Sequence, residues 1–248
     1  MAYAASVDRD VIAWASDLAA KVSCALEGKL TGAYLHGSAA LGGFVPGRSD
    51  VDLLFVVDGP LNRAARVDVA AVITRFEGCP GSGIEASVLT RDQALLPELG
   101  AFEVHVCTGP DAKVVDGRGH TGDDDLVLHA VVVRAAGLAL LGPPPVALFG
   151  EVEREVVLAR MAEELDWGLA NASAAYTVLN ACRALLWAEE GCVISKVAAG
   201  EWVLSRLPRW PEVIQAALAD QASHNAADRK PAAAEREFVE AVQRQVGL

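Results

Sequence analysis

The chain has 248 residues, of which 52% are apolar, 22% charged and 6% aromatic, a composition that fits one large or two modest globular domains and excludes disorder. Acidic residues outnumber basic ones by 33 to 21, and the resulting net charge of -12 disfavours a nucleic-acid partner while permitting a cationic small molecule. His129 and Arg134 interrupt the longest apolar run, and residues 1–8 do not resemble a signal peptide, so we expect a soluble, cytoplasmic protein without a membrane partner.

Helix and strand patterns alternate in the first half of the chain. Apolar residues at intervals of three and four predict a helix over Val7–Leu26, which a short strand, Gly32–His36, follows. The segment Val51–Val57, with its apolar run from Leu53 onward, predicts a strand buried on both faces. A helix over Arg63–Phe76 and a third strand over Gly83–Thr90 complete this α/β pattern.

The second half of the chain is helical. Thr108–Asp125 is polar and rich in glycine, and its last three aspartates favour the start of a helix that we predict to run to Leu141. Strand patterns are absent after Glu151. The fold class predicted is therefore an α/β domain, residues 1–150, with a mixed sheet and flanking helices, followed by an all-α bundle, residues 151–248. Its helices are predicted at Glu151–Leu169, Ala172–Glu190, Ser195–Leu207, Pro211–Ala222 and Ala232–Val246.

Cysteine and histidine spacing argues against a zinc site. The five cysteines include no CxxC pair and each has apolar neighbours in sequence, which is typical of buried free thiols. The five histidines form no HExxH motif and no pair at helical ligand spacing. Any metal is therefore expected to be held by carboxylates.

One stretch combines a glycine turn with two carboxylates. Gly37 and Ser38 follow a strand, so their backbone N–H groups and the Ser38 hydroxyl can face an anion. Asp50 and Asp52 begin the next strand, where the two-residue period sends both side chains to one face. Burying this pair is unfavourable unless a divalent cation neutralises it, and Mg²⁺ prefers carboxylate oxygens together with substrate phosphates. Glu85, on the third strand, could bring a third carboxylate to the same end.

The same stretch resembles the nucleotidyltransferase superfamily that DNA polymerase β shares with the antibiotic adenylyltransferases. That superfamily's motif is a hydrophobic residue, Gly, and Gly or Ser, followed after a spacer by Asp, a hydrophobic residue and Asp or Glu. The wider pattern looks like the aminoglycoside 3''-adenylyltransferases, which modify streptomycin and spectinomycin. The segments that carry this likeness are Leu35–Ala39, Gly42-Gly43 and Ser49–Leu54 in the first half and Val178-Leu179, Arg183 and Lys196–Ala199 in the second.

The resemblance implies that the first domain, residues 1–150, is a nucleotidyltransferase domain. It also implies roles for the motif residues of that domain. Asp50 and Asp52 match the aspartates that bind two Mg²⁺ ions. Glu85 matches the carboxylate that serves as catalytic base and completes the metal site. Gly37, Ser38 and Ser49 match positions near the phosphates of ATP, the implied co-substrate.

The helical domain, residues 151–248, is implied to clasp nucleotide and substrate as the two domains close. Arg183 and Lys196 fall where the family presents cations to the triphosphate, with solvated helix charges as the alternative. Phe102 falls near a family tryptophan of the cleft, with a core aromatic as its alternative. Where the family places acids for the cationic sugar, Leu169–Tyr176 contains none, although Trp167 and the acids beside it could substitute.

The function implied is ATP- and Mg²⁺-dependent transfer of AMP to a hydroxyl of an aminoglycoside-type antibiotic, with release of pyrophosphate. Such an enzyme belongs to EC 2.7.7, confers antibiotic resistance and is expected to be a monomer or weak dimer. One alternative is a nucleotidyltransferase for another acceptor, such as a metabolite, a protein or a tRNA. Another is a noncatalytic, antitoxin-like binding module, against which the three carboxylates argue.

Overall fold

The computed structural model describes residues 9–109, 112–119, 122–207, 209–223 and 229–247. The chain divides into two compact units, Met1–Val152 and Glu153–Leu248. Separate roles for residues 1–150 and 151–248 stay a prediction, since compactness alone does not test them. No helix among the described residues has both the length and the apolar character needed to cross a membrane.

The N-terminal unit contains a mixed sheet of the order β5-β4-β3-β2-β1-β6 among its described residues. Strands β2 and β3 pair in parallel, and the other neighbours are antiparallel. The strands are β1 Leu30–Leu35, β2 Val51–Val57, β3 Ile84–Thr90, β4 Val104–Cys107, β5 Lys113–Asp116 and β6 Leu138–Leu141. The helices are α1 Arg9–Ala25, α2 Gly37–Ala40, α3 Arg63–Thr74, α4 Arg91–Leu95 and α5 Asp124–Ala136.

Strand β2 is apolar at every position except Asp52 because helices cover both faces of the sheet. Leu53 and Phe55 pack in one cluster with residues of α1 and α3. Leu54 and Val56 point to the other face and pack in a second cluster with residues of α5. The alternation of side chains along a strand thus places Asp52 on the α5 side of the sheet.

The C-terminal unit is a bundle in which α7 is central, packing against α6, α8, α9 and α10. Gly191 ends α7 in the left-handed conformation, with φ of +65°, and the Ser195 hydroxyl accepts a hydrogen bond from Ala198 N to begin α8. The helices are α6 Arg154–Asn171, α7 Ala174–Glu190, α8 Lys196–Arg206, α9 Pro211–Ala222 and α10 Ala233–Val246. The predicted fold class, a mixed α/β unit followed by a helical one, is confirmed.

The predicted helix through Leu141 is wrong in its last turn. Helix α5 ends at Ala136, Gly137 is extended, and Leu138–Leu141 forms β6 along the edge of β1. An apolar run fits a buried strand or a helix equally well, and the unpaired backbone edge of β1 decides between them. Strands β4 and β5 were not predicted, and the expected helix start at Val7 lies outside the described residues.

The expectation that all five cysteines are buried is also wrong. Cys182 is buried, Cys79 and Cys107 are half-buried, and Cys24 and Cys192 are exposed. Apolar neighbours in sequence do not ensure burial, because consecutive helical residues point in different directions: on α1, Val22 is buried while Cys24 faces solvent.

Candidate active site

The turn after β1 lies directly against Asp52. Leu35 pairs with Leu53 across the sheet, and His36 N donates a hydrogen bond to the Asp52 carbonyl oxygen at 3.0 Å. Gly37 then adopts a φ of +57°, and a Cβ atom on it would lie 1.8 Å from Asp52 Oδ2. Glycine is therefore required at position 37 by both its conformation and its contact with the carboxylate.

Ser38 follows in the same turn with an unusual feature. Its Oγ is buried and has no hydrogen-bond partner among the described residues. Buried hydroxyl groups are nearly always hydrogen-bonded, so an isolated one in the turn that contacts Asp52 indicates a position for a ligand or water.

Asp52 and Glu85 are brought together by strand register. They are directly paired Cα partners in the parallel β2–β3 ladder, and both are half-buried. Paired residues on neighbouring strands point to the same face, about 4.8 Å apart at the backbone. The structure therefore places two of the three predicted carboxylates side by side.

Asp50 occupies a different setting, one residue before β2. It is exposed, and its Oδ1 accepts a hydrogen bond from Ser82 Oγ at 2.6 Å. Within the described chain, the metal-ligating side chains that converge within 4.8 Å of one another are Glu85, His105 and Cys107, not the three predicted carboxylates. Ser49 lies beside Asp50, where its Oγ accepts a hydrogen bond from Val45 N at 3.0 Å and stabilises the turn.

His129, on α5, is a site residue that the sequence did not reveal. Burial alone lowers the pKa of His129, but Glu85 and Asp52, with Asp125 and Asp123 behind them, raise it above its usual value. Its ring lies 5.1 Å from that of His36, whose pKa burial lowers well below the usual range. The carboxylates therefore favour protonation of His129, whereas burial favours the neutral form of His36. In the sequence, His129 is visible only as an interruption of an apolar run.

In the C-terminal unit, three residues contact Tyr176: Lys196, Trp167 and Glu164. Lys196 Nζ lies 3.8 Å from the centre of the Tyr176 ring, and the exposed Trp167 contacts that ring edge-on at 6.1 Å. The Tyr176 hydroxyl donates a hydrogen bond to Glu164. An acid therefore reaches the segment Leu169–Tyr176 from the preceding helix, although the segment itself contains none.

Arg183 lies two turns beyond Tyr176 on the same face of α7, because residues seven apart fall on one side of a helix. Its Nη1 donates to Asn180 Oδ1 at 3.3 Å. Phe102, in contrast, is 5% exposed and packs in the core beside α5. Phe102 thus lies where the alternative, a core aromatic, would place it. Its ring has almost no exposed surface that a substrate could contact.

Two sequence families match the chain. The family described as "Aminoglycoside adenylyltransferase, C-terminal domain" matches residues 147–246, and the family described as "Nucleotidyltransferase domain" matches residues 19–99. Among solved structures, the fold is similar to that of spectinomycin adenyltransferase AAD(9) from Enterococcus faecialis, determined with ATP and spectinomycin. The TM-score is 0.68 and the identity 17%, over 94% of this chain and 98% of that one.

A nucleotidyltransferase domain that carries paired carboxylates at its glycine turn makes this chain an enzyme of the nucleotidyltransferase class. Residues 147–246 match the C-terminal domain family of the aminoglycoside adenylyltransferases, and the two domain matches together support assignment of the chain to these enzymes. The family resemblance predicted from the sequence is thereby confirmed.

Gly37→Ala should destabilise the protein far more than Gly47→Ala. Gly47 also has a positive φ, +71°, but a Cβ atom on it would meet nothing within 4 Å. Gly47→Ala should therefore cost about 1 kcal/mol of conformational strain, whereas Gly37→Ala should cost a further ~1–3 kcal/mol for displacing Asp52. Urea unfolding of both variants measures the difference, and equal losses of stability would contradict the close contact.

His129→Gln should remove a pH-dependent contribution to the free energy of unfolding. Both proteins are measured in the presence of EDTA. A raised pKa means that protonated His129 stabilises the fold, so the wild type's advantage over the variant should be full below about pH 6.5. The advantage should decline as the pH rises through the pKa of the folded state. Urea unfolding across a pH series tests this, and a difference that is the same at every pH would refute the raised pKa of His129.

Proposed function

We propose that this enzyme transfers AMP from ATP to a hydroxyl group of an aminoglycoside-type antibiotic of the streptomycin or spectinomycin kind, releasing pyrophosphate. The observation that carries the proposal is the in-register pair Asp52–Glu85, packed against the Gly37 turn. The two domain matches and the similarity to a spectinomycin adenyltransferase determined with ATP and spectinomycin support it.

The residues of this site fit Mg²⁺ ions. Asp50, Asp52 and Glu85 offer carboxylate oxygens, the donors that Mg²⁺ prefers in proteins. The missing Cβ of Gly37 keeps space beside Asp52 Oδ2, and the unbonded Ser38 Oγ is a further oxygen in the same turn. Two bound Mg²⁺ ions would supply positive charge to the phosphates of ATP, which are otherwise repelled by these carboxylates.

Glu85 is the proposed catalytic base. Its half-buried carboxylate lies on the sheet face towards α5, where it raises the pKa of His129. The acceptor hydroxyl oxygen attacks the α-phosphorus of ATP, the bond from that phosphorus to the β-phosphate oxygen breaks, and the hydroxyl proton passes to Glu85. Pyrophosphate leaves with its electron pair.

Other residues of the chain are proposed to bind the nucleotide. The Gly37 backbone and the Ser38 hydroxyl would donate to phosphate oxygens, with Ser49 holding the adjoining turn. Arg183 and Lys196 would neutralise charge on the triphosphate. Charge-assisted hydrogen bonds of this kind strengthen binding more than neutral ones do.

A cationic acceptor suits the chain's net charge of -12. In the C-terminal unit, Trp167 is 52% exposed and lies beside Tyr176, whose hydroxyl donates to Glu164. An exposed indole next to an acid can stack on and pair with an ammonium-bearing sugar. We propose Trp167 as an acceptor contact, whereas the burial of Phe102 gives that residue a packing role.

Incubation with ATP, Mg²⁺ and a panel of aminoglycosides tests the function directly. One compound of the panel should gain the mass of a single AMP, with one pyrophosphate released per product. Binding of ATP and Mg²⁺ without any product would instead favour a different acceptor, and no binding of ATP would refute the nucleotidyltransferase site.

Asp52→Asn should abolish turnover while leaving the protein folded, because it removes charge for the metal without changing core volume. Asp68→Asn, an exposed position on α3, is the matched control and should be fully active. Pyrophosphate release and circular dichroism provide the two readouts. Wild-type turnover in Asp52→Asn would rule out the metal-site assignment.

Glu85→Gln should lower the rate of AMP transfer by roughly 10² to 10⁴, the usual contribution of a general base, with nearly normal affinity for ATP and Mg²⁺. Glu77→Gln, at an exposed position, provides the control. If nucleotide affinity falls together with the rate, Glu85 acts chiefly as a metal ligand and the base is another group.

Arg183→Ala and Lys196→Ala should each raise the dissociation constant for ATP by roughly tenfold or more, since a charge-assisted hydrogen bond contributes about 1.5 to 3 kcal/mol. Arg244→Ala, an exposed cation on α10, is the control in the same unit. Titration calorimetry measures the affinities. Wild-type affinity for ATP in both variants would mean that these residues of the C-terminal unit do not bind the nucleotide.

A further inference from the structure

A second set of ligand atoms lies next to the proposed base, on strand β4. Cys107 is the cross-strand partner of Glu85, and His105 is the partner of Ser87. His105 and Cys107 are two residues apart, so both side chains point to the same face of the sheet as Glu85. Antiparallel pairing of β3 and β4 thus places an imidazole and a thiol beside the Glu85 carboxylate.

The three ligand atoms are close enough for one metal ion. A Glu85 carboxylate oxygen, a His105 ring nitrogen and Cys107 Sγ all lie within 4.8 Å of one another. His105 Nε2 and Cys107 Sγ are 3.1 Å apart. Two such ligands on a tetrahedral zinc ion would be separated by about 3.5 Å, given bond lengths of about 2.0 Å to nitrogen and 2.3 Å to sulfur.

Ser87 fixes the orientation of the His105 ring. Its Oγ lies 2.9 Å from Nδ1, in a buried contact. When Nδ1–H donates to Ser87, the lone pair of Nε2 faces Cys107, which is the tautomer that a metal needs. Metal-binding histidines usually have a second hydrogen bond of this kind on the ring nitrogen that does not touch the metal.

The charges around the cluster favour a cation. Burial raises the pKa of Cys107 to about 11, and Glu85, Asp50 and Asp123 raise it further than Lys113 lowers it. Burial lowers the pKa of His105, Glu85 and Asp123 raise it, and Lys113 and His129 lower it. The thiol therefore keeps its proton in the free protein, and a bound divalent cation would displace that proton to solvent as the thiolate forms.

We propose that Glu85, His105 and Cys107 bind a thiophilic divalent cation of the Zn²⁺ type, and that this ion inhibits the enzyme by engaging Glu85. The set of one oxygen, one nitrogen and one sulfur ligand suits Zn²⁺ and excludes Mg²⁺, which avoids thiolates. Binding itself does not depend on the proposed function. The inhibition rests on the role of Glu85 in AMP transfer.

Cobalt titration of the reduced, full-length protein tests the binding without ATP. Cobalt should bind at one equivalent with a near-ultraviolet sulfur-to-cobalt charge-transfer band, which Zn²⁺ should displace. Cys107→Ser should lose that band, and His105→Gln should raise the cobalt dissociation constant at least tenfold. Cys24→Ser and Cys192→Ser, exposed cysteines outside the cluster, are matched controls that should keep the band. Circular dichroism verifies that each variant is folded.

Three results would overturn the site: no charge-transfer band in the wild type, a band that survives Cys107→Ser, or a band lost in Cys79→Ser instead. If Cys107→Ser does not fold, an unchanged cobalt affinity in His105→Gln overturns it equally well.

Zinc inhibition tests the second half of the proposal. With Mg²⁺ and ATP, the zinc concentration that halves AMP transfer should be at least tenfold higher in Cys107→Ser than in the wild type, each compared with its own zinc-free rate. Equal zinc sensitivity would overturn the inhibitory role. If cobalt binds as expected but no AMP transfer occurs with any acceptor, the proposed function fails while the metal site stands.

Discussion

The parallel register of β2 and β3 is the constraint on which the rest of this site depends. It pairs Asp52 with Glu85 and holds both carboxylates on one face of the sheet. A shift of one residue would send one of the two side chains into the apolar core on the other face. The alternating core clusters on the two faces of β2 prevent such a shift, because each is filled by its own set of large side chains.

Several neighbouring groups accommodate the paired carboxylates of Asp52 and Glu85. Gly37 gives Asp52 Oδ2 the space that any side chain would occupy, and His36 N is bonded to the Asp52 backbone rather than to its carboxylate. His129 on α5 faces the carboxylates, which raise its pKa against the opposing effect of burial. Protonation of His129 at this position would lower the cost of holding the carboxylates together.

The sequence was sufficient to predict features whose residues all lie in one continuous segment. Strand β2 was predicted with the bounds that the structure has, because an apolar run ended by Asp58-Gly59-Pro60 leaves little choice. The turn at Gly37 and the carboxylates Asp50 and Asp52 belong to the same short stretch. What could not be predicted depends on partners distant in sequence: β6 forms because β1 has an open edge, and His129 reaches the site through the packing of α5.

The cluster of Glu85, His105 and Cys107 shows the same limit. Spacing rules for zinc sites consider ligands on one helix or one loop, and the scattered cysteines and histidines satisfy none of them. The two-residue spacing of His105 and Cys107 was the available signal. It becomes informative only when β4 is known to pair with β3, and Val104–Cys107 was not predicted as a strand.

The central claim is that Asp52 and Glu85 act as one charged unit in binding Mg²⁺ with nucleotide. A double-mutant cycle on the affinity for Mg²⁺, with a saturating nonhydrolysable ATP analogue, tests it most directly. The variants are Asp52→Asn, Glu85→Gln and the double variant. The account predicts that the second substitution has much less effect once the first is present, with a coupling free energy of about 1 kcal/mol or more, as for residues in contact. Effects that add to within about 0.3–0.5 kcal/mol would show two independent carboxylates and would contradict the account.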